Sequence, residues 1–227
     1  MRIILLSIIF FVFSALSFPV GTKESMKDTS KIDFSSSGCE LLYEQMKLEG
    51  VIHFDVFQAA YTGYKKLNIQ NNPLLTLIDF SLPSTEKRLY VLDLEKKEVL
   101  FVSYVSHGRN SGENYATSFS NRNGSYQSSL GFYRTGDTYF GGNGYSLLLD
   151  GLEEGINDQA RSRAIVIHGA DYCSEAVIHS SGRLGRSFGC PALPRELATP
   201  IINTIKGGSL FFIYADIPEY LSLSEIL

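Results

Sequence analysis

From Leu74 onward the sequence is cut into short runs of branched and aromatic residues, separated by clusters of Gly, Asn and Ser. Leu74–Phe80, Arg88–Asp93, Val99–His107, Gly131–Thr135, Ser146–Leu149, Arg163–His168 and Ser209–Tyr214 each have the length and composition of a strand. This texture predicts a mainly β domain over residues 73–227. Asp93–Lys97 (Asp-Leu-Glu-Lys-Lys) is compact and charged, and suits a hairpin turn between two of the strands. The stretch from Gly108 to Ser129 is polar and rich in Gly, Ser and Asn. Loops of that length without structure of their own usually carry function or move.

Helices frame the strands, so the expected class is α+β. Residues 39–72 read as a helical N-terminal segment, with a short helix over Cys39–Leu48 and a better patterned one over Asp55–Leu67. In the second, Phe57, Ala60, Tyr61, Tyr64 and Leu67 recur three and four residues apart, which gathers them on one face for packing. Pro194–Lys206 reads as another helix, with Pro in its first turn and Gly207-Gly208 as its stop.

The first 17 residues have another character. Met1-Arg2 is a positive start, Ile3–Phe13 is apolar except for Ser7, and Ala15-Leu16-Ser17 supplies small residues. This predicts a secretory signal peptide over residues 1–17. The apolar run is short for a bilayer span of about 20 residues, so no integral membrane span is expected once the leader is removed. Residues 18–38 read as a flexible lead-in. The formal charge is −4 and the basic residues form no block or stripe, which argues against a nucleic-acid partner. Three cysteines in an exported chain leave at least one thiol unpaired. Cys39 and Cys173 either pair or stay reduced and structural.

The segment Arg163–Pro194, RAIVIHGADYCSEAVIHSSGRLGRSFGCPALP, concentrates the chemistry. The apolar run Ala164–Ile167 ends on His168-Gly169, and a loop of small residues leads to Ser187-Phe188-Gly189-Cys190. Strand ends and loops on a rigid sheet are where reactive side chains commonly sit. A thiol beside an imidazole can pass it a proton and attack a carbonyl carbon as thiolate. Gly189 frees the backbone to bring amide donors to a developing oxyanion. Arg183 and Arg186 add positive charge, which is expected to lower the thiol pKa. A buried structural Cys on a tight turn is the plainer alternative, but Cys, His, glycines and arginines clustered in one exported segment favour a nucleophile.

His168-Gly followed by Ser187-Phe-Gly189-Cys190 resembles the HG … S-x-G-C signature of the YkuD-type L,D-transpeptidases of peptidoglycan. The resemblance extends through roughly residues 74–214. Ser128-Ser-Leu-Gly-Phe-Tyr133 is similar to that family's strand entry. Ser106-His107-Gly108, Phe119-Ser-Asn121 and Gly185-Arg-Ser-Phe-Gly-Cys-Pro191 are similar to its murein L,D-transpeptidase catalytic-domain branch. The resemblance implies a sandwich-like β domain in the cell envelope or periplasm, with helices at its N-terminus and after the nucleophile. It implies that Cys190 attacks the carbonyl of the third residue of a peptidoglycan stem tetrapeptide and expels D-Ala. A second stem's side-chain amine then resolves the thioester into a 3→3 cross-link. His168 is the implied base and later acid, the Gly169 carbonyl orients it, and backbone amides around Gly189 and Cys190 form the implied oxyanion hole, with Ser187 in support. No cofactor is implied.

The sequence departs from the family pattern in two places. Where members often read Gly-Cys-Ile-Arg, this chain has Pro191-Ala192-Leu193 after the Cys, so Arg186 or Arg183 is expected to bind the substrate carboxylate instead. Phe188 stands where many members have His, leaving His168 as the obvious base. His107 is a candidate to line the donor site, and a plain turn after a strand explains it nearly as well. Tyr139, Tyr145 and Phe188 are candidate groove walls. His179 is expected in a loop facing solvent. A metal site from His168, Cys173, His179 and Cys190 is disfavoured, because no Cys-x-x-Cys or His-Glu-x-x-His spacing supports it. An L,D-carboxypeptidase using the same thioester, and a non-catalytic peptidoglycan-binding module, are the alternative functions.

Overall fold

The computed structural model describes residues 34–69 and 72–227. The expected leader lies outside these residues, as does the lead-in up to residue 33. Among the described residues the order is α1 (Phe34–Gln45), α2 (Phe54–Leu67), β1 (Leu74–Asp79), β2 (Leu89–Asp93), β3 (Glu98–Ser103), β4 (Gly131–Gly141), β5 (Gly144–Gly151), β6 (Val166–Gly169), α3 (Glu175–Ser181), β7 (Ala192–Leu193), α4 (Arg195–Ile205), β8 (Leu210–Tyr214) and α5 (Pro218–Leu223). The mainly β, α+β class expected from the sequence is the class observed. No helix among the described residues is long and apolar enough to cross a membrane.

The strands form one hydrogen-bonded sheet in the order β3-β2-β1-β8-β4-β5-β6-β7. The last strand of the chain is central, with β8 parallel to β1 and antiparallel to β4. All of its residues are buried, as the unbroken run Leu-Phe-Phe-Ile-Tyr requires of a strand covered on both faces. β3 is one edge of the sheet and β7 the other, yet soon after leaving β3 at Ser103 the chain pairs Ser106 with Ala192 of β7. Three residues reach at most about 10 Å, so the two edges lie close together. The sheet therefore wraps round on itself, sandwich fashion, and the strand expected over Val99–His107 is split between the two edges.

α2 covers the centre of the sheet with Val56, Phe57, Ala60 and Gly63 buried. A Cβ on Gly63 would lie 2.1 Å from Cζ of Phe132. The bare backbone lets the helix close over that ring, which itself stacks on Phe212 with centroids 4.0 Å apart. Burying a side chain of this size contributes roughly 1.5–3 kcal/mol. The β2–β3 turn is the expected one: Asp93 Oδ1 accepts from the amides of Glu95 at 3.1 Å and Lys96 at 2.9 Å. α4 lies against β6 through a face that buries Ala198, Ile201, Ile202 and Ile205. Pro194 is its N-cap, one residue before the helix proper.

Three features differ from expectation. β4 runs far beyond its buried residues, because past Thr135 most of it stands in solvent and lacks a strand's burial pattern, although its partner β5 still buries Ser146 and Leu147. α3 occupies what reads as a loop, and none of its residues is buried. α5 follows the last strand with Pro218 at its start, and Tyr220 packs into the core.

Candidate active site

β6 and β7 run parallel, with His168 opposite Ala192 and Gly169 opposite Leu193. Cys190 stands just before β7, so its side chain falls beside the start of β6. There the amide of Val166 donates to Sγ at 3.4 Å, and the thiol donates to the carbonyl oxygen of Ala164 at 3.6 Å. His168 is two residues further along the same strand and is buried. Its Nδ1 donates to the carbonyl oxygen of Gly169 at 3.1 Å, which leaves the lone pair on Nε2. Among the described residues Nε2 has no hydrogen-bond partner.

Electrostatics keep this pair neutral at rest. Burial pushes the His168 pKa below its ordinary value; the Gly169 carbonyl raises it and Arg195 lowers it further. Burial likewise pushes the Cys190 thiol up, opposed by the Val166 amide and the Arg163 guanidinium. A base must be unprotonated to accept the thiol proton, so a lowered imidazole pKa extends activity toward acid. The acid limb of the thioester-formation rate is therefore expected below pH 6.5, the ordinary imidazole value. A pH–rate profile measures it, and a limb at or above that value would contradict the assignment.

The turn that carries Cys190 is braced from within. Ser187 Oγ accepts from the Gly189 amide at 3.0 Å and donates to the Cys190 carbonyl oxygen at 2.6 Å. Gly189 has φ +122°, and a Cβ there would lie 2.8 Å from the carbonyl oxygen of Gln127, so the position admits only glycine. The amide of Gly189 is thus already used by Ser187. Among the amides of this turn, those of Phe188 and Cys190 donate to no oxygen among the described residues, and that of Cys190 lies beside its own sulfur, where an oxyanion would form.

The long loop from Gly108 to Ser129 forms the wall of this site. Gly108 pairs with Ser187, the Arg109 amide donates to the Ser187 carbonyl at 2.8 Å, and the Ser187 amide donates to the His107 carbonyl at 2.9 Å. Arg163 holds the far end of the loop. Its guanidinium donates to the carbonyl oxygens of Ser120 at 2.8 Å and Gln127 at 2.7 Å, and to the hydroxyls of Ser129 and Ser125. Sequence reasoning missed Arg163. It stands at the mouth of an apolar run, and nothing local marks it as the cation that acts on Cys190.

The other expected site residues are placed differently. Arg183 Nε lies 3.0 Å from Glu113 Oε2, and Arg186 Nη1 lies 2.7 Å from Glu113 Oε1. Arg186 also donates to the carbonyls of Arg109 and Gly112. The two arginines strap the loop down, and the guanidinium charge that acts on the thiol is that of Arg163. His107 is fully buried; Nδ1 accepts from Arg88 at 2.8 Å and Nε2 donates to the Gly112 carbonyl at 3.3 Å. Burial and the Arg88 charge press its pKa down to about 4. A side chain without solvent access cannot touch a substrate, so the expectation that His107 lines the donor site is corrected: it is a core pin for the loop.

Cys39 and Cys173 are both buried free thiols, so the pairing considered for them is not made. His179 is exposed on α3. Among the described residues no group of three or more His, Cys, Asp or Glu side chains converges as metal ligands would.

Residues 48–214 match the family model described as L,D-transpeptidase catalytic domain. This chain belongs to that family. The matched span opens before α2, so the L,D-transpeptidase catalytic domain takes in this covering helix as well as the sheet. No curated protein matches the sequence. Among solved structures, an L,D-transpeptidase from Mycobacterium smegmatis is similar at 13% identity and TM-score 0.39, over 63% of this chain and 59% of that one. The helical cell shape determining protein Pgp2 from Campylobacter jejuni is similar at 16% identity and TM-score 0.44, over 66% of this chain and 49% of that one. An L,D-transpeptidase from Stackebrandtia nassauensis is similar at 12% identity and TM-score 0.38, over 79% and 78%. The chain thus spans less than two thirds of the length of the first two.

Proposed function

We propose that this chain is a cysteine-dependent acyltransferase of the cell envelope that acts on peptidoglycan stem peptides by L,D-transpeptidation. The observation that carries the reading is the state of His168: its Nδ1 proton rests on the Gly169 carbonyl, so Nε2 is free to take a proton two residues along the ladder from Cys190. Proton transfer requires Sγ to leave the Ala164 carbonyl and turn toward the imidazole. The Cys190 sulfur then bonds to the carbonyl carbon of the third stem residue, and the Cys190 amide faces the oxyanion. As the tetrahedral species collapses, the imidazolium returns its proton to the departing amine of D-Ala, leaving a thioester. A second stem's side-chain amine attacks that thioester, loses a proton to His168 and restores the thiol. The leader expected from the sequence over residues 1–17 supports a reading in which the chain is exported to the envelope where this substrate lies.

The test is direct. Incubation with a stem tetrapeptide should add the mass of a tripeptide acyl group to the protein, and Cys190→Ala should abolish that adduct. An unchanged adduct in the variant would remove Cys190 as nucleophile, and no adduct in the parent would leave a peptidoglycan-binding module. Cross-linked dimers among the products identify a transpeptidase, and tripeptide alone identifies a carboxypeptidase that lets water resolve the same thioester.

A further inference from the structure

With Arg183 and Arg186 held by Glu113, and Arg163 taken up by loop oxygens, the guanidinium of Arg109 stands apart. Among the described residues it pairs with no carboxylate and donates to no oxygen. It is exposed, yet it is not loose. Its plane lies over two rings at once, 4.4 Å from the centroid of Tyr126 and 4.8 Å from that of Phe188. Those rings lean on each other with centroids 4.9 Å apart.

Exposed arginines ordinarily wander, because a long side chain gives up conformational entropy when it is fixed. Here the backbone and the rings fix this one. The Arg109 amide donates to the Ser187 carbonyl at 2.8 Å, and its own carbonyl accepts from Arg186 at 3.0 Å. Phe188 is 64% exposed and Tyr126 39% exposed, so burial alone does not explain their positions. Tyr126 also holds the left-handed φ of +55°, which costs a non-glycine residue energy. The arrangement keeps an exposed but pre-oriented cation at the lip of the turn that ends on Cys190. A guanidinium held with its edge unpaired suits a carboxylate, which it can grip through two parallel hydrogen bonds.

We propose that Arg109, set between Tyr126 and Phe188, binds a carboxylate of the donor stem peptide and so positions the scissile carbonyl against Cys190. This rests on the acyl-transfer reading above and deepens it. It also supplies a residue for the role that the missing polar position after the Cys leaves open. Of the carboxylates of a diaminopimelate donor stem, the candidates are the two that flank the scissile bond: the C-terminal one on D-Ala and the one on the side chain of the third residue.

The experiment compares the parent protein with Arg109→Gln and Arg109→Lys on three diaminopimelate tetrapeptides. One has both carboxylates free, one is amidated at the C-terminus, and one is amidated on the third side chain. Acyl-enzyme formation is followed by intact mass against substrate concentration. Arg109→Gln is expected to raise KM for the free peptide roughly 10- to 100-fold, the loss of one charge-assisted pair, with little change in kcat. Arg109→Lys should recover part of it. The peptide whose amidation makes the parent as weak as Arg109→Gln, with no further loss in the variant, identifies the carboxylate bound. Equal kinetics of Arg109→Gln and parent on all three peptides would overturn the proposal, and so would an equal loss on all three, which is the mark of a merely structural residue. Both outcomes leave the acyl-transfer reading intact. No adduct in the parent would overturn that reading and this proposal with it.

Discussion

Substituting His168 by Gln is expected to slow thioester formation by about 10²- to 10⁴-fold, the usual contribution of a positioned general base. Glutamine keeps nearly the volume of the buried imidazole, so the β5–β6–β7 ladder around it, in which Ser146 and Ala192 flank position 168, has no cavity to collapse into. What it cannot do is take a proton from Sγ near neutral pH. The Cys190 thiol is pushed up by burial, so it does not ionise unaided, and the rate depends on the base. The acid limb assigned to His168 should vanish in the same variant. Stopped-time intact mass on parent and variant reads both effects, and a variant with the parent's rate would exclude His168 as the base.

The largest effect on stability is expected at Arg88, which lies entirely out of solvent. No carboxylate pairs with it among the described residues. Instead Nε and Nη2 donate to the Val105 carbonyl at 3.2 and 3.0 Å, Nη1 donates to the Leu82 carbonyl at 2.8 Å, and Nη2 donates to His107 Nδ1. The guanidinium also lies 4.7 Å from the centroid of the Phe80 ring. Burial brings its pKa down to about 9, so it stays charged at neutral pH. These bonds fasten the crossover from β3 to the opposite edge of the sheet. Arg88→Met fills much of the space but leaves two carbonyl oxygens and an imidazole nitrogen buried without donors. Removing one side of such a buried polar cluster costs about 3–5 kcal/mol, out of a total stability of about 5–15 kcal/mol. Urea unfolding should show the midpoint fall by roughly 1–3 M. An unmoved midpoint would mean that the buried guanidinium contributes nothing to stability.

Much of the fold is legible where the pattern is local. The run Leu210–Tyr214 reads as a buried strand because every residue is apolar or aromatic, and α4 is framed by Pro194 and by glycines that admit left-handed φ. α3 escapes notice because it is short, buries none of its residues and so carries no amphipathic stripe. The outer part of β4 escapes for the same reason, being held by its ladder to β5 and mostly out of the core. In the candidate site, His168, Gly169, Ser187 and Cys190 are legible because their relation is one of neighbouring strand end and turn. The arginines are not. Arg183 and Arg186 sit within the motif and look like part of the chemistry, whereas their partner Glu113 lies in a loop 70 or more residues away. Arg163 and Arg109 look ordinary in sequence, and they acquire roles only because that loop folds across the Cys190 turn.

The sequence by itself therefore determined the α+β class, the order of the strands along the chain, and the pairing of a thiol with an imidazole on one strand-and-turn unit. Those follow from hydrophobic period, turn chemistry and residue type, which act over a few positions. Tertiary structure alone decided which cation faces the thiol, which arginine is left unpaired, and that His107 is core. Each of these depends on charges and hydrogen bonds between segments far apart in sequence, and only the wrapping of the sheet, which brings Ser106 to Ala192, sets those segments side by side.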